Sequence, residues 1–458
     1  RPPGRAGRAE RTADAMAPQE PPGGPAAAVH RGTHLVLRDS EGAQKVFWLG
    51  EGCKDLRMGR YPPIPLAAVL DAPYGATLRR DDGGDWVRQR PELAEPIADQ
   101  AAVDCDDAGA EVYEHNAKLA QDNSAQALGP AEVRELKSRC AGEEVVRELA
   151  SNSATFATKT KFAKEKYLKK KQQKHVQQVT LLRPSLMELC ETYMKQSRNK
   201  VCGLRFDYLS SLLCQADVRT GGRYLAWDSA CGLVVAAMAQ QMAGCGQVFR
   251  MFRGGCPDKA LSELDLGPRR AVVRPVPLEV LQSADPWSHE WLAVPAEPEG
   301  EAMAEEERGR LAVRRKRVLQ RRADVENLQA GPVDGLIVVA SDEEVELAAE
   351  AVEHGLTRLR PGGRFVMYGQ YLQPLAARQG ALRASGSFVD VKLHQLFTRE
   401  YQVLPMRTHP IMTAEAMLCE GFVLSASKVI DDAANGAAER AAEAGAEAGG
   451  APKRRRRS

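Results

Sequence analysis

The sequence predicts an α/β protein, a doubly wound sheet domain preceded by a small antiparallel β-barrel domain. Three observations predict it. Residues 223–255 read as strand, turn, helix and strand, one β-α-β unit. Two further apolar runs, Gly335-Leu-Ile-Val-Val-Ala340 and Gly363-Arg-Phe-Val-Met-Tyr-Gly369, flank a helical stretch over about Glu343–Leu359. Such alternation over short connections makes a mostly parallel sheet. Between Thr33 and about Arg90, short β-like runs are punctuated by glycine and proline, which suits a small antiparallel barrel or sandwich.

The elements follow in chain order. Residues 1–30 are rich in Pro, Gly, Ala and Arg and are expected to be disordered. The chain opens on Arg1 and its first methionine is Met16, so residues 1–15 read as translated leader or a fragment end. The β-like runs are His34–Arg38, Gln44–Leu49, Ile64–Leu70, Ala76–Arg79 and Asp85–Arg88, and residues 31–120 are read as the barrel-like domain with an acidic linker from about 91. A helical basic connector, 121–175, holds helices at Pro130–Cys140, Gly142–Leu149 and about Thr155–His175. Pro130 at the first turn, with acid close behind, favours a helix N-terminus. The sheet domain, 176–430, opens on a strand at Val176–Leu182 and an amphipathic helix at 203–215. After the β-α-β unit come a third strand at Ala271–Arg274 and an insertion over about 257–330, whose acidic stretch 295–308 leads into the basic helix-like run Arg308–Arg322. Tyr401–Pro405 and Gly421–Ala426 are expected to pair antiparallel at the end, before a tail, 431–458, with a basic terminus.

Composition excludes some classes of function. The 458 residues, 43% hydrophobic and 27% charged, are those of an ordinary globular protein of two or three domains. The net charge of +2 says little, but the charges come in blocks. No apolar run approaches the roughly 18–20 residues of a membrane span, and the N-terminus lacks the apolar core of a secretory signal. The ten cysteines include no C-x-x-C pair and no neighbouring His cluster, which argues against zinc. Cys190, Cys214 and Cys231 sit in apolar runs, as core thiols of a reduced compartment would.

Chemistry is suggested at five places. The first is the third helix, where Lys159, Lys161, Lys164, Lys166, Lys169, Lys170, Lys171 and Lys174 face one acid, Glu165. A solvated face is the usual fate of a charge run, but eight cations against one anion repel each other unless something answers them. A phosphate backbone does, through counterion release. Phe156 and Phe162 are expected to pack the helix down rather than stack on bases. The second is the loop Asp228-Ser-Ala-Cys-Gly232. A dinucleotide or S-adenosylmethionine site needs several glycines there and a carboxylate after the next strand for the ribose. This chain has Gly232 alone in the turn, and Arg250 and Arg253 where the carboxylate should fall. Asp228 then reads as a turn residue or cap, and no cofactor-binding residues are assigned. The third is Ser341–Glu344, whose acids suit the N-terminus of the next helix. The fourth is the twice-proline-broken segment carrying Arg407 and His409, either a cleft-lining loop or a plain connector. The fifth is Lys453–Arg457, a nuclear import signal or nucleic-acid anchor.

Several stretches resemble one family. Gly142-Glu-Glu-Val-Val, then Asn152-Ser-Ala-Thr-Phe156 through Lys159 and Tyr167-Leu-Lys-Lys-Lys171, carry the resemblance most specifically. Arg205-Phe-Asp-Tyr-Leu209, Cys231-Gly-Leu-Val234, Asp334-Gly-Leu-Ile-Val338, Tyr401–Pro405 and His409-Pro410 continue it. The chain is similar to the non-catalytic subunits of eukaryotic tRNA (adenine-58-N1)-methyltransferases. The resemblance implies an N-terminal β-barrel and a degenerate Rossmann-like class I methyltransferase domain. It also implies a homologous catalytic partner that binds S-adenosylmethionine and methylates N1 of adenosine 58 in the tRNA T-loop. Two such pairs usually form a heterotetramer, in the nucleus. By the same resemblance the Lys159–Lys174 helix would contact tRNA, and Arg407 and His409 are further candidates. The chain departs from the family pattern over 256–330 and in Ile411–Glu420.

Two other readings stand beside this one. An autonomous S-adenosylmethionine-dependent RNA methyltransferase with an atypical loop would bind cofactor alone. A nuclear RNA-binding protein with a vestigial fold would lack a homologous partner.

Overall fold

A computed structural model describes residues 28–59, 61–81, 83–89, 126–139, 142–157, 159, 161–255, 258–296, 305–404, 407–412, 417–418 and 420–429. The N-terminus expected to be disordered over 1–30 is ordered from residue 28, where Ala28 bridges to Pro73 and Val29 is buried in the N-terminal core. Residues 1–27, the acidic linker and the basic tail with Lys453–Arg457 lie outside the described residues.

The N-terminal part holds strands β1 (His34–Asp39), β2 (Gln44–Trp48), β3 (Asp55–Leu56), β4 (Ile64–Pro65), helix α1 (Leu66–Val69), β5 (Thr77–Arg80) and β6 (Trp86–Arg88). Helices α2 (Pro130–Arg139), α3 (Gly142–Ser151) and α4 (Lys161–His175) follow, then β7 (Gln178–Leu182). The run from Ile64 to Leu70, read as a strand, is mostly helix: Leu66 and Val69, three apart, turn into the core together. The antiparallel sheet runs β2-β1-β7-β5-β6. It is the small antiparallel β domain expected from the sequence; among the described residues its edges, β2 and β6, do not pair with each other.

β7 corrects the expected boundary at 176. It pairs antiparallel with β1 and β5, and Val179 and Leu181 are buried with Leu35, Leu37 and Leu78. Alternation marks a half-buried strand but not the sheet it joins.

The second part holds α5 (Leu186–Gln196), α6 (Phe206–Gln215), β8 (Arg223–Asp228), α7 (Leu233–Gln241), β9 (Gln247–Phe252), α8 (Lys259–Glu263), β10 (Val273–Pro277) and α9 (Leu278–Gln282). Then come α10 (Glu305–Gln329), β11 (Val333–Val339), α11 (Val345–Arg358), β12 (Leu359–Gly369), α12 (Leu372–Ala384) and β13 (Phe388–His394). Short strands β14 (Thr398–Arg399), β15 (Tyr401–Leu404), β16 (Arg407–Pro410) and β17 (Met417–Leu418) precede β18 (Phe422–Lys428). Seven strands are ordered β10-β9-β8-β11-β12-β18-β13. β8 to β12 run parallel, and β18 is antiparallel to both β12 and β13. This is the doubly wound, Rossmann-like arrangement expected from the sequence.

The expected pairing of Tyr401–Pro405 with Gly421–Ala426 does not form. β15 folds onto β16 as a hairpin, and β18 inserts between β12 and β13. Val423, Leu424 and Ala426 of β18 are buried, whereas Tyr401 is 57% and Val403 74% exposed. Burial on both faces of the sheet favours the central slot for β18.

The sheet has a core on each face. One includes Val235, Leu212 and Tyr368 with Val36 of the N-terminal sheet; the other includes Leu225, Phe249, Val325 and Val352. Cys190 is buried as expected and Cys231 half-buried, but Cys214 is exposed. On α6 the inward positions are Tyr208, Leu209, Leu212 and Leu213, and the next step of about 100° carries Cys214 outward.

Candidate cofactor pocket and nucleic-acid surface

Strand order reverses between β8 and β11, and the crevice at the carboxyl ends of strands beside such a reversal is where this fold binds ligands. A cavity of about 410 Å³ lies there, lined among others by Asp228, Ser229, Arg250, Arg253 and Glu344.

Its residues do not suit a nucleoside cofactor. The Asp228 carboxylate is 5% exposed and is committed to backbone. Oδ1 accepts the Ala230 N–H at 2.8 Å, and Oδ2 accepts those of Val234 and Val235 at 2.9 and 3.1 Å. It caps α7, whose first N–H groups have no partner in the helix. Gly232 has φ of +80°, in the left-handed region that glycine tolerates. The Asp258 Cα would stand 3.2 Å from a Cβ at Gly232, and the Ala260 N–H donates to the Cys231 carbonyl at 3.0 Å. The space above the turn is thus taken by the chain's own 258–260 segment.

Two cations stand where a ribose carboxylate would have to be. Arg250 is 2% exposed, donates to the Asp228 carbonyl at 3.1 Å and pairs with Asp258. Arg253 pairs with Glu279 at 2.9 Å and Glu350 at 3.2 Å. Ser229 donates to the Glu344 carboxylate. Burial, with Asp228 and Glu344 nearby, pushes the Cys202 thiol well up, so it is a poor nucleophile at neutral pH. Asp342, Glu343 and Glu344 form a short 3-10 turn leading into α11, as expected of acids at a helix start. Among the described residues no group of three His, Cys, Asp or Glu is placed to hold a metal.

The lysine cluster lies on α4 and the turn before it. Leu168 packs with Val146 and Ala150 of α3 and with the partly buried Phe156 and Tyr167. The Phe156 and Tyr167 rings are 5.3 Å apart, and Tyr167 donates to the Leu149 carbonyl at 3.1 Å. Phe156 packs the segment down, as read from the sequence; the side chains of Lys161 and Phe162 lie outside the described ones. Lys166, Lys169, Lys170 and Lys174 are exposed, and Lys164 and Lys171 half-buried. The Lys171 ammonium sits 5.3 Å from the Tyr167 ring centre. Lys159 precedes the helix and donates to the Thr155 hydroxyl at 2.7 Å. The helix hairpin is anchored to the N-terminal sheet by the Arg79–Glu143 pair and by Ser40, which donates to the Gln173 carbonyl at 2.8 Å.

Arg407 and His409 are on β16, in the hairpin that follows the β13 edge of the large sheet. His409 is half-buried, with Nδ1 3.0 Å from the Pro410 carbonyl; the Arg407 side chain lies outside the described ones. The two basic features therefore belong to different sheets.

Sequence reasoning missed two arrangements. One is the Arg250–Asp258 closure of the pocket. The other is the Arg205-Phe-Asp-Tyr motif, which is a pin. Arg205 is bidentate on Asp207 at 2.9 and 2.6 Å and stacks 4.7 Å over Tyr208. Tyr208 donates to the Gly421 carbonyl at 2.6 Å and accepts the Leu396 N–H at 2.8 Å. The available signal was an Arg just before the helix start, with an Asp and a Tyr in the first turn after it.

Comparison with known proteins extends these observations. The chain is 27% identical over 420 residues, 79% of its length, to the tRNA (adenine(58)-N(1))-methyltransferase non-catalytic subunit TRM6 of Mus musculus, covering 81% of that protein. It is 28% identical to the Dictyostelium discoideum subunit of the same name, over 69% of this chain and 64% of that one. Among solved structures it is similar to the tRNA (m1A58) methyltransferase TrmI from Aquifex aeolicus, at 8% identity and a TM-score of 0.39, over 88% of this chain and 100% of that one. The Gcd10p family model matches residues 28–309, more than half of the chain, through the N-terminal sheet, the altered turn between β8 and α7, and strands β8 to β10 of the large sheet, and the chain belongs to the Gcd10p family.

Proposed function

We propose that this chain is the non-catalytic, tRNA-binding subunit of a complex that methylates N1 of adenosine 58 in tRNA. The chemistry resides in a homologous partner that holds S-adenosylmethionine. The observation that carries the reading is the pocket at the end of β8. Asp228 is spent on capping α7, the 258–260 segment covers Gly232, and Arg250 stands in the ribose position. The names of the relatives support the same division of labour.

This chain's contribution is to hold and orient the RNA. The exposed lysines of α4 meet phosphates and release counterions; such contacts position a nucleic acid without reading its bases. Two pairs in a heterotetramer, and residence in the nucleus through Lys453–Arg457, complete the proposal.

The test is methyl transfer to unmodified tRNA by this chain, by its catalytic partner and by the two together, with calorimetry of cofactor binding to each. Activity is expected from the mixture only. Lys169→Gln, Lys170→Gln and Lys171→Gln together should raise KM for tRNA several-fold and flatten the salt dependence of binding. Saturable cofactor binding or methyl transfer by this chain alone would establish the autonomous enzyme instead.

A further inference from the structure

A second basic block begins where the family match ends, at residue 309, and lies almost wholly beyond it. Between Arg308 and Arg322 the chain has seven arginines, one lysine and no acid. The structure places this block on α10, a 25-residue helix with Glu305, Glu306 and Glu307 in its first turn. The helix is held by Val318, Val325 and Leu328 and by two stacked pairs. Arg321 lies 4.6 Å from the Trp291 ring centre, and Arg322 5.7 Å from that of Trp287.

Of the remaining cations all but Arg315, which is half-buried, are exposed. Arg310, Arg314 and Arg317 follow one another at spacings of four and three residues, which puts them on one side of the helix. All three are exposed, and so is Lys316. Arg310 has a partner in Glu306, an exposed pair that contributes little. Burial, and then Arg317, lower the pKa of Arg321. Val325 and Leu328 belong to the core on one face of the sheet, whereas Val36 of the N-terminal sheet belongs to the core on the other. This surface is therefore separate from the lysines of α4.

We propose that the arginine side of α10 is a second RNA-backbone surface of this chain. The inference rests on the reading of the chain as a tRNA-binding subunit. Arginine in place of lysine favours it, because the planar fork donates two parallel hydrogen bonds to phosphate oxygens. A membrane surface fits less well: the exposed large apolar side chains of the helix are Val313 and Leu319, too few for an inserted face.

The experiment uses the reconstituted pair with full-length chains. The Arg310→Gln/Arg314→Gln/Arg317→Gln variant is compared with wild type for affinity to unmodified tRNA over a range of salt. Expected are a loss of about tenfold at low salt and a fall in the salt slope of roughly one unit per contact removed, additional to the effect of the α4 lysine variant. Unchanged affinity and slope would overturn the proposal. So would unchanged tRNA affinity with lost binding to phosphatidylserine vesicles, which would assign the surface to membranes. If the variant does not assemble, ultraviolet crosslinking of the wild-type pair to tRNA decides. Crosslinked peptides from Glu305–Gln329 support the proposal, and crosslinks confined to other segments refute it. A wild-type pair that methylates tRNA while the arginines prove silent leaves the assignment of function standing; a wild-type pair that binds no tRNA removes both.

Discussion

Arg250 does the most to distinguish this pocket from a cofactor site. Its guanidinium is buried, neutralised by Asp258 and fixed to the end of β8. Arg250→Ala should therefore destabilise the chain by about 1.5–3 kcal/mol, the usual loss for a hydrogen bond to a charged group. Urea denaturation should show it, while the reconstituted pair keeps its kcat. His354 sets a pH dependence. Its Nε2 accepts the Arg358 Nε–H at 3.0 Å, which requires the neutral ring; burial, and then Arg358, lower its pKa. The unfolded state then binds the proton more readily, so the stabilisation is complete above the ordinary histidine range, near about 6.5, and is lost as pH falls. His394 is shifted the same way by burial and then Lys392. Denaturation midpoints should drop from about pH 7.5 to pH 5.5, and His354→Gln should reduce the drop without abolishing it.

Among the elements, those with a strong period of their own were legible in the sequence. The amphipathic stretch at 203–215 forms α6, with Tyr208, Leu209, Leu212 and Leu213 inward. The apolar runs at 335–340 and 363–369 lie in β11 and β12, side by side. Elements whose partner is remote were not. β7 carries the alternation of any half-buried strand, and its place beside β1 depends on residues some 140 positions earlier in the chain. The lysine helix was legible as charge, but its support was not: α4 rests on a core of Val146, Ala150 and Leu168. Leu168→Ala should loosen it by about 2–3 kcal/mol. Hydrogen exchange should quicken across 142–175 and tRNA binding weaken, with no charge removed and the large sheet unaffected. Faster exchange with undiminished tRNA binding would separate the helix from RNA recognition.

Over the whole molecule, polar contacts tie the two sheets together. Arg38 and Gln44 reach Glu188 at 2.6 and 2.7 Å, and His34 meets Asp265 at 2.8 Å. The N-terminal sheet is thereby set against α5 and the loop before β10, so the lysine helix anchored to it has a defined relation to the large sheet. The sequence by itself determined the fold class, the basic blocks and the loss of the glycine-rich turn. Those are properties of residue type and local period, which short-range sterics and charge impose wherever the segment lies. Only the tertiary structure decided that β7 completes the first sheet, that β18 takes the slot between β12 and β13, and that Asp258 and Arg250 close the pocket. Each of these joins residues distant in sequence or places a buried charge beside its partner, and the free energy of such contacts depends on which groups desolvate together, which no local pattern encodes.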